Sequence, residues 1–416
     1  MPTRALRLIA MGLAWMMLGA SPAAAQRSPS VPPPTPVPPD GSPSPYPTAL
    51  ETPIPATERP DVDAAAAVLA DLDSGRLLFQ EQATEPRPIA SLTKIMTALL
   101  VIERTRLTEI VAASENATAQ TGAELGLQVG EERTVRELLM ALLLQSANDA
   151  AVALAEHVSG SVEVFVDTMN QRALELGMRD TEFRSPSGLD DTGHSTARDL
   201  SRLASEAFLD PTFAEIVATR FAKVPADEGE PRRLQNRNAL LWLYDGAFGG
   251  KTGYTGAAGF CLVAAAQRDE LRLATVILGA SEQAFSAAAE VLNHGFASWE
   301  RETIVGLGDP VDPLSVDGTE VPAEADATLS LLVPAGAIVE SDVEPVLGLS
   351  LPVEEGMQVG SLLATSGGEV LGEVELVAAE DVGLPVVAPP VEASLAEEIW
   401  TALSGLYGRV FEVLAG

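Results

Sequence analysis

Ala90-Ser91-Leu92-Thr93-Lys94-Ile95-Met96-Thr97 follows Pro86 and Pro88 and runs into Ala98-Leu99-Leu100-Val101. The two prolines disfavour a helix before this stretch and suit one starting just after it. Apolar residues then recur at helical spacing, which predicts a helix over 91–105. Residues three apart share a helix face, so the Ser91 hydroxyl and the Lys94 amine come within hydrogen-bonding reach. A helix N-terminus favours the developing alkoxide, making Ser91 a candidate nucleophile and Lys94 its base. The plainer alternative is a capping serine beside a solvated lysine.

Lysine usage weighs against that alternative. The chain has 23 arginines and three lysines, Lys94, Lys223 and Lys251. In so arginine-rich a chain, a retained lysine points to a task arginine cannot do, such as losing its proton when buried. Lys251 opens Lys251-Thr252-Gly253 after Gly249-Gly250. At the start of an edge strand, this cation and hydroxyl can grip a carboxylate, and Gly253 lets a peptide approach the backbone closely. A charge there also disfavours protonation of a nearby Lys94. Between the two lies Ser146-Ala147-Asn148, after the helix-like run Leu138–Leu144. In a loop, Ser146 can relay a proton to a leaving amine and Asn148 can bond a substrate backbone; a polar helix break is the bland reading.

Around these motifs, residues 61–300 read as an α/β domain. Ala64–Ala70 and Leu77–Phe79 form a strand pair turning at Asp73-Ser74-Gly75. Helical segments follow at 91–105, 134–158 and 163–176, then strands at 259–267 and 271–279, then a helix at 282–298. Residues 302–386 lack basic side chains and break into short Val/Leu strands, an expected small β-sandwich-like domain. Residues 392–416 form an amphipathic helix, packed on the protein's own body or serving as a membrane anchor.

The N-terminus has the form of a secretory leader over 1–25: Arg4 and Arg7, an apolar run over 8–20, then Ala23-Ala24-Ala25. That run is shorter than the roughly 20 residues a membrane span needs. Residues 26–60 are a proline-rich linker, with thirteen of the thirty prolines in 28–60. With 46% apolar residues, the 416-residue chain can bury more than one core. A net charge of −33 disfavours nucleic-acid binding, which needs clustered cations. The lone Cys261 allows no internal disulfide and sits in an apolar run, so it reads as a buried thiol. Of the three histidines, His157, His194 and His294, none accompanies a G-x-S-x-G turn, and neither H-x-x-x-H nor a Cys/His cluster exists. A Ser-His-Asp hydrolase and a zinc enzyme are therefore disfavoured, and no metal or cofactor is expected.

S-x-x-K, S-x-N and K-T-G in this order form the motif set of penicillin-binding proteins and class A β-lactamases. The chain resembles the low-molecular-mass penicillin-binding proteins, the D-alanyl-D-alanine carboxypeptidase family of serine peptidases. Further blocks carry the likeness: Leu144-Gln145-Ser146-Ala147-Asn148-Asp149-Ala150, Gly188-Leu189-Asp190, Ser195-Thr196-Ala197-Arg198-Asp199 and Gln235-Asn236-Arg237-Asn238. The resemblance implies a β-lactamase/transpeptidase-like fold, an antiparallel sheet flanked by helices, with a smaller C-terminal all-β domain and a terminal amphipathic helix. It implies that Ser91 is acylated by stem peptides ending in D-Ala-D-Ala, releasing D-alanine, and by β-lactams as mimics. It places an oxyanion hole at the backbone amides of Ser91 and Tyr254 and Arg198 near the substrate-binding face. It also implies export across the bacterial inner membrane. Two departures stand out: Tyr254 where some members carry His, and no arginine in Ala280–Phe285. A D,D-endopeptidase of the same fold and a non-catalytic muropeptide-binding wall protein are the competing functions. A β-lactamase is disfavoured by the extra β-domain.

Overall fold

The computed structural model describes residues 59–281, 284–384 and 397–405. The expected leader, the linker up to residue 58, Glu282 and Gln283, and residues 392–396 and 406–416 of the expected C-terminal helix lie outside them. The chain divides into two units between Ser298 and Trp299.

The first unit opens with a hairpin of β1 (Ala66–Asp71) and β2 (Leu77–Glu81), whose turn is pinned by Asp71 accepting from the Ser74 amide at 3.0 Å. A 3₁₀ turn over Ala90–Thr93 leads into α1 (Lys94–Arg104). Next come β3 (Ile110–Ala112), α2 (Glu115–Thr118), β4 (Glu132–Thr134) and α3 (Val135–Met140). After them run α4 (Asn148–Ser159), α5 (Val162–Glu175), α6 (Ala197–Leu209) and α7 (Pro211–Ala218). A small hairpin of β5 (Phe221–Val224) and β6 (Arg232–Gln235) and the short α8 (Leu240–Leu243) precede β7 (Ala247–Thr255), β8 (Gly259–Arg268), β9 (Leu271–Ala280) and α9 (Ala284–Ser298).

The main sheet is antiparallel in the order β2-β1-β9-β8-β7. Its central strands are apolar almost without alternation because both faces are covered. Ala66, Val68, Val276 and Leu278 join Met96, Leu100, Leu154 and Leu203 in one core. On the other side, Leu69 and Leu273 come so close to Gly295 of α9 that a Cβ there would lie 2.5 and 2.7 Å from them. This is the expected sheet flanked by helices, and it leaves β7 as an edge strand beside the start of α1.

Two local expectations change. The helix expected over 134–158 is broken. α3 starts in a Thr134–Glu137 capping box and widens into a π turn at Ala141–Gln145. Ser146 then takes a left-handed conformation (φ 67°, ψ 32°), and α4 restarts at Asn148. An apolar run such as Leu142-Leu143-Leu144 carries no signal for an inserted residue, and π turns of this sort gather at functional sites. The second change concerns Lys251-Thr252-Gly253, which lies in the middle of β7 rather than at its start.

The second unit is all β: β10 (Trp299–Val305), β11 (Pro310–Val316), β12 (Thr319–Ala325), β13 (Leu329–Pro334), β14 (Glu340–Pro345), β15 (Gln358–Ser366) and β16 (Glu369–Ala378). A five-stranded sheet, β11-β12-β16-β15-β14, faces the β10–β13 pair. Leu329 and Leu331 fill the space a side chain at Gly372 would need, and Val321, Val359, Ala364 and Leu376 line the core. Residues 397–405 are helical, with Ile399, Trp400 and Leu403 exposed.

Candidate active site

Lys94 is fully buried at the first turn of α1. Its Nζ lies 3.0 Å from Ser91 Oγ and donates to Asn148 Oδ1 and to the Ser187 carbonyl, each at 2.7 Å. Ser91 itself sits in the 3₁₀ turn, so the α-helix proper opens at the lysine. Its predecessor Ala90 has a φ of +47°, a strained value for an alanine, and Ser146, at +67°, is another non-glycine residue with positive φ. Such strain persists where surrounding packing over-determines the backbone, and functional sites are the usual place.

Lys251 is buried as well, and its Nζ donates to the Thr252 carbonyl at 2.7 Å. Burial holds the Lys94 amine well below the ordinary lysine range. The positive charge of Arg237 pushes the same way and the Asp149 carboxylate opposes it. Lys251 is likewise pushed down, first by burial and then by the charges of Lys94 and Arg237. The charge of Lys94 thus disfavours protonation of Lys251, and Arg237 acts on both, so the S-x-x-K and K-T-G lysines lie within electrostatic reach of one another.

Ser146 Oγ is buried and has no hydrogen-bond partner among the described residues. Gly253 lies against the Ser91 turn: a Cβ there would meet Ile89 O and Ser91 N, each at 3.1 Å. The absent side chain thus leaves space at the Ser91 amide. Thr252 is half-buried, and Tyr254 is exposed with its ring against Phe260, centroids 4.5 Å apart. Beyond Tyr254 opens a cleft of about 450 Å³ that Arg87, Pro88, Phe260 and Ser281 help to line.

Two of the expected site residues are engaged by other protein groups. Arg198 Nη2 donates to Gln80 Oε1 at 3.0 Å, on the strand at the opposite edge of the sheet from Lys251. The backbone of α6 sets that direction, since the Arg198 amide is tied to the Ala83 carbonyl. Asn148 has both ends of its amide engaged: Oδ1 with Lys94, and Nδ2 donating to Thr121 O at 2.6 Å.

Sequence reasoning missed three contributors. Ser187 acts through a backbone carbonyl, which no side-chain pattern reveals. Gly188 has a φ of +68°, and a Cβ there would overlap the Ala90 carbonyl and the Thr93 hydroxyl. Arg237 is held by Leu144, whose carbonyl accepts its amide at 3.0 Å; its flanking asparagines bond backbone behind β7, Asn236 to Val217 O and Asn238 to Gly249 O. The Gln235–Asn238 block was the signal available. Cys261 is buried as expected, and burial raises its thiol to about 11, which disfavours the reactive thiolate.

A half-buried serine bonded to a buried lysine, beside an edge strand that carries a second lysine, defines a penicillin-binding serine hydrolase of the acyl-enzyme type. Residues 54–282 match the family model described as D-alanyl-D-alanine carboxypeptidase, and 299–383 match penicillin-binding protein 5, C-terminal domain. The chain belongs to the D-alanyl-D-alanine carboxypeptidase family. It is 33% identical over 333 residues to the carboxypeptidase DacF of Bacillus subtilis, covering 77% of this chain and 86% of the relative. It is 32% identical over 354 residues to DacC of Escherichia coli, covering 78% and 86%. Among solved structures, penicillin-binding protein 5 of Haemophilus influenzae aligns with a TM-score of 0.63 at 28% identity, over 79% of this chain and all of that one. The chain is thus a serine-type D-Ala-D-Ala carboxypeptidase, a hydrolase of peptidoglycan stem peptides. β-Lactam binding goes with that membership.

Proposed function

We propose that Ser91 is the nucleophile and Lys94, as a neutral amine, the base that activates it for removal of the terminal D-alanine from stem pentapeptides. One observation carries the assignment. A neutral amine has two N–H groups and one lone pair. The Asn148 and Ser187 oxygens at 2.7 Å take the two hydrogens. The third neighbour, Ser91 Oγ at 3.0 Å, is left facing the lone pair and can donate its proton. Burial favours the neutral form that this requires.

The remaining roles follow from chemistry. The Ser91 and Tyr254 amides hold the oxyanion, with Gly253 keeping the space open. Lys251 and Thr252 receive the terminal carboxylate, whose arrival restores Lys251's charge at close range. The unpartnered Ser146 hydroxyl lies free to pass a proton to the departing D-alanine amine. Water then hydrolyses the Ser91 ester, and a β-lactam stops at that ester. Asn148 serves mainly to hold Lys94.

Intact mass after penicillin exposure tests the reading: the wild type gains one penicilloyl adduct and Ser91→Ala gains none. An adduct on Ser91→Ala overturns it. Digestion of purified muropeptides settles the substrate, since free D-alanine marks the carboxypeptidase and monomerised dimers mark the endopeptidase. We further propose that residues 1–25 direct export, that the enzyme works outside the cytoplasm, and that the C-terminal helix rests on the membrane. Exposed Ile399, Trp400 and Leu403 support that contact; no helix among the described residues is long and apolar enough to cross a membrane. Flotation with liposomes of the chain with and without residues 392–416 checks it.

A further inference from the structure

The second residue of α4, Asp149, is a carboxylate only 2% exposed, and the reaction as described gives it no part. Its Oδ1 accepts from the Leu125 amide at 2.9 Å and from its own neighbour Ala150 at 2.9 Å. Its Oδ2 accepts from Gly126 at 2.8 Å and Leu127 at 3.0 Å. Three successive amides of one loop therefore converge on one buried anion. The preceding residue holds the other end of the same loop: the Asn148 amide donates to Ala123 O and its Nδ2 to Thr121 O, both at 2.6 Å. Gly122 packs on that side chain, its absent Cβ falling 3.3 Å from Asn148 Nδ2. Arg232 adds one bond from outside, to Gly126 O at 3.0 Å.

We infer that Asp149 is a positioning residue for acylation: its carboxylate gathers the amides of 125–127 and so holds the 121–127 loop against the Asn148 amide that carries Lys94. The path is short. The carboxylate sets the loop, the Thr121 and Ala123 carbonyls set Asn148, and Asn148 Oδ1 takes one N–H of Lys94, orienting the lone pair toward Ser91. A buried carboxylate satisfied by amides is rigid, and removing it leaves several donors without partners. Its charge acts along the same line. The charged groups around Lys94 are Lys251 from β7, Arg237 from the segment after β6 and Asp149 from α4. Only Asp149 is negative among them, so it opposes the loss of basicity that burial and Arg237 impose on the amine. Arg232 is the other cation that feels Asp149.

The inference rests on Lys94 being the base, and the two can fail separately. A penicilloyl adduct on Ser91→Ala removes the base assignment, whereas the Asp149 role is read from acylation rate against pH with a fluorescent penicillin. Asp149→Asn keeps the shape but loses the charge and two acceptor bonds. It is expected to acylate about ten- to a hundredfold more slowly, the cost of a small misplacement at a reacting pair. Its acid limb is expected to move to lower pH. Asp149→Glu keeps the charge but displaces the amides, so it is expected to be slowed with the acid limb in place. Gly126→Ala, at a φ of +80° that a Cβ disfavours, disturbs the loop while leaving the carboxylate and its charge in the chain, and is expected to behave like Asp149→Glu. Glu124→Gln, exposed on the same loop, is expected to match the wild type. A wild-type rate and profile in Asp149→Asn overturns the inference. So does a slowed Asp149→Asn with an unmoved acid limb, which marks a merely structural residue. Should neither Asp149 variant fold, wild-type acylation in Gly126→Ala overturns it alone.

Discussion

Lys94 Nζ stands closer to Asn148 Oδ1, at 2.7 Å, than to Ser91 Oγ, at 3.0 Å. On the proposed reading the amine is held by groups that take no part in bond making, which directs its lone pair at Ser91. The distinction decides how substitutions around it behave.

Replacing Lys94 by arginine puts a permanent cation where the reaction needs a neutral amine, and so removes the base. A guanidinium stays protonated, so Lys94→Arg is expected to lose about 10²- to 10⁴-fold in acylation, no better than Lys94→Ala. Stopped-flow acylation of the three proteins measures it. An active Lys94→Arg contradicts the base assignment.

Acylation is expected to rise with pH as Lys94 loses its proton, at a pH well below that of an ordinary lysine. Arg237 helps to depress that value, so Arg237→Gln favours the protonated amine and moves the acid limb to higher pH. Asp149→Asn moves it the opposite way. Profiles from the two variants together test the sign.

Gly253→Ala puts a methyl 3.1 Å from both Ile89 O and Ser91 N. The neighbouring backbone must give by a few tenths of an ångström, at the amide assigned to the oxyanion. Acylation is expected to fall about 10²-fold, the usual cost of losing one such donor, while the melting temperature changes little.

Gly188→Ala is different in kind. Its φ of +68° and the collision with Ala90 O and Thr93 Oγ1 reach into the turn that carries Ser91. Both stability and acylation are expected to drop, the former by about 3 kcal/mol. Thermal denaturation beside the acylation assay separates it from Gly253→Ala.

Arg198→Ala is expected to leave acylation within about twofold, as befits a side chain bonded to Gln80 at the far edge of the sheet. A large loss would place it back at the substrate.

Much of the fold was legible because local rules agreed with it. The β1–β2 and β8–β9 hairpins, α1, α5 and α9 follow from apolar periodicity and turn residues, and their boundaries shift by only a few residues. A loop at Ser146 was suggested by its polar triplet, but the π turn that makes the break was not legible. That turn lies within an unbroken apolar run, stabilised by packing around Leu142 and Leu144 rather than by any local preference.

The linear order of residues determined the chemistry on offer: which serine has a lysine three positions on, which lysines an arginine-rich chain retains, and where a strand can tolerate a peptide alongside. It could not decide what surrounds those groups. The Ser187 carbonyl, the Asn148 amide, the Arg237 charge and the Asp149 carboxylate reach Lys94 from segments 54 to 143 positions away. Desolvation and charge act through space, so the proton affinity of that amine exists only once the chain has folded around it.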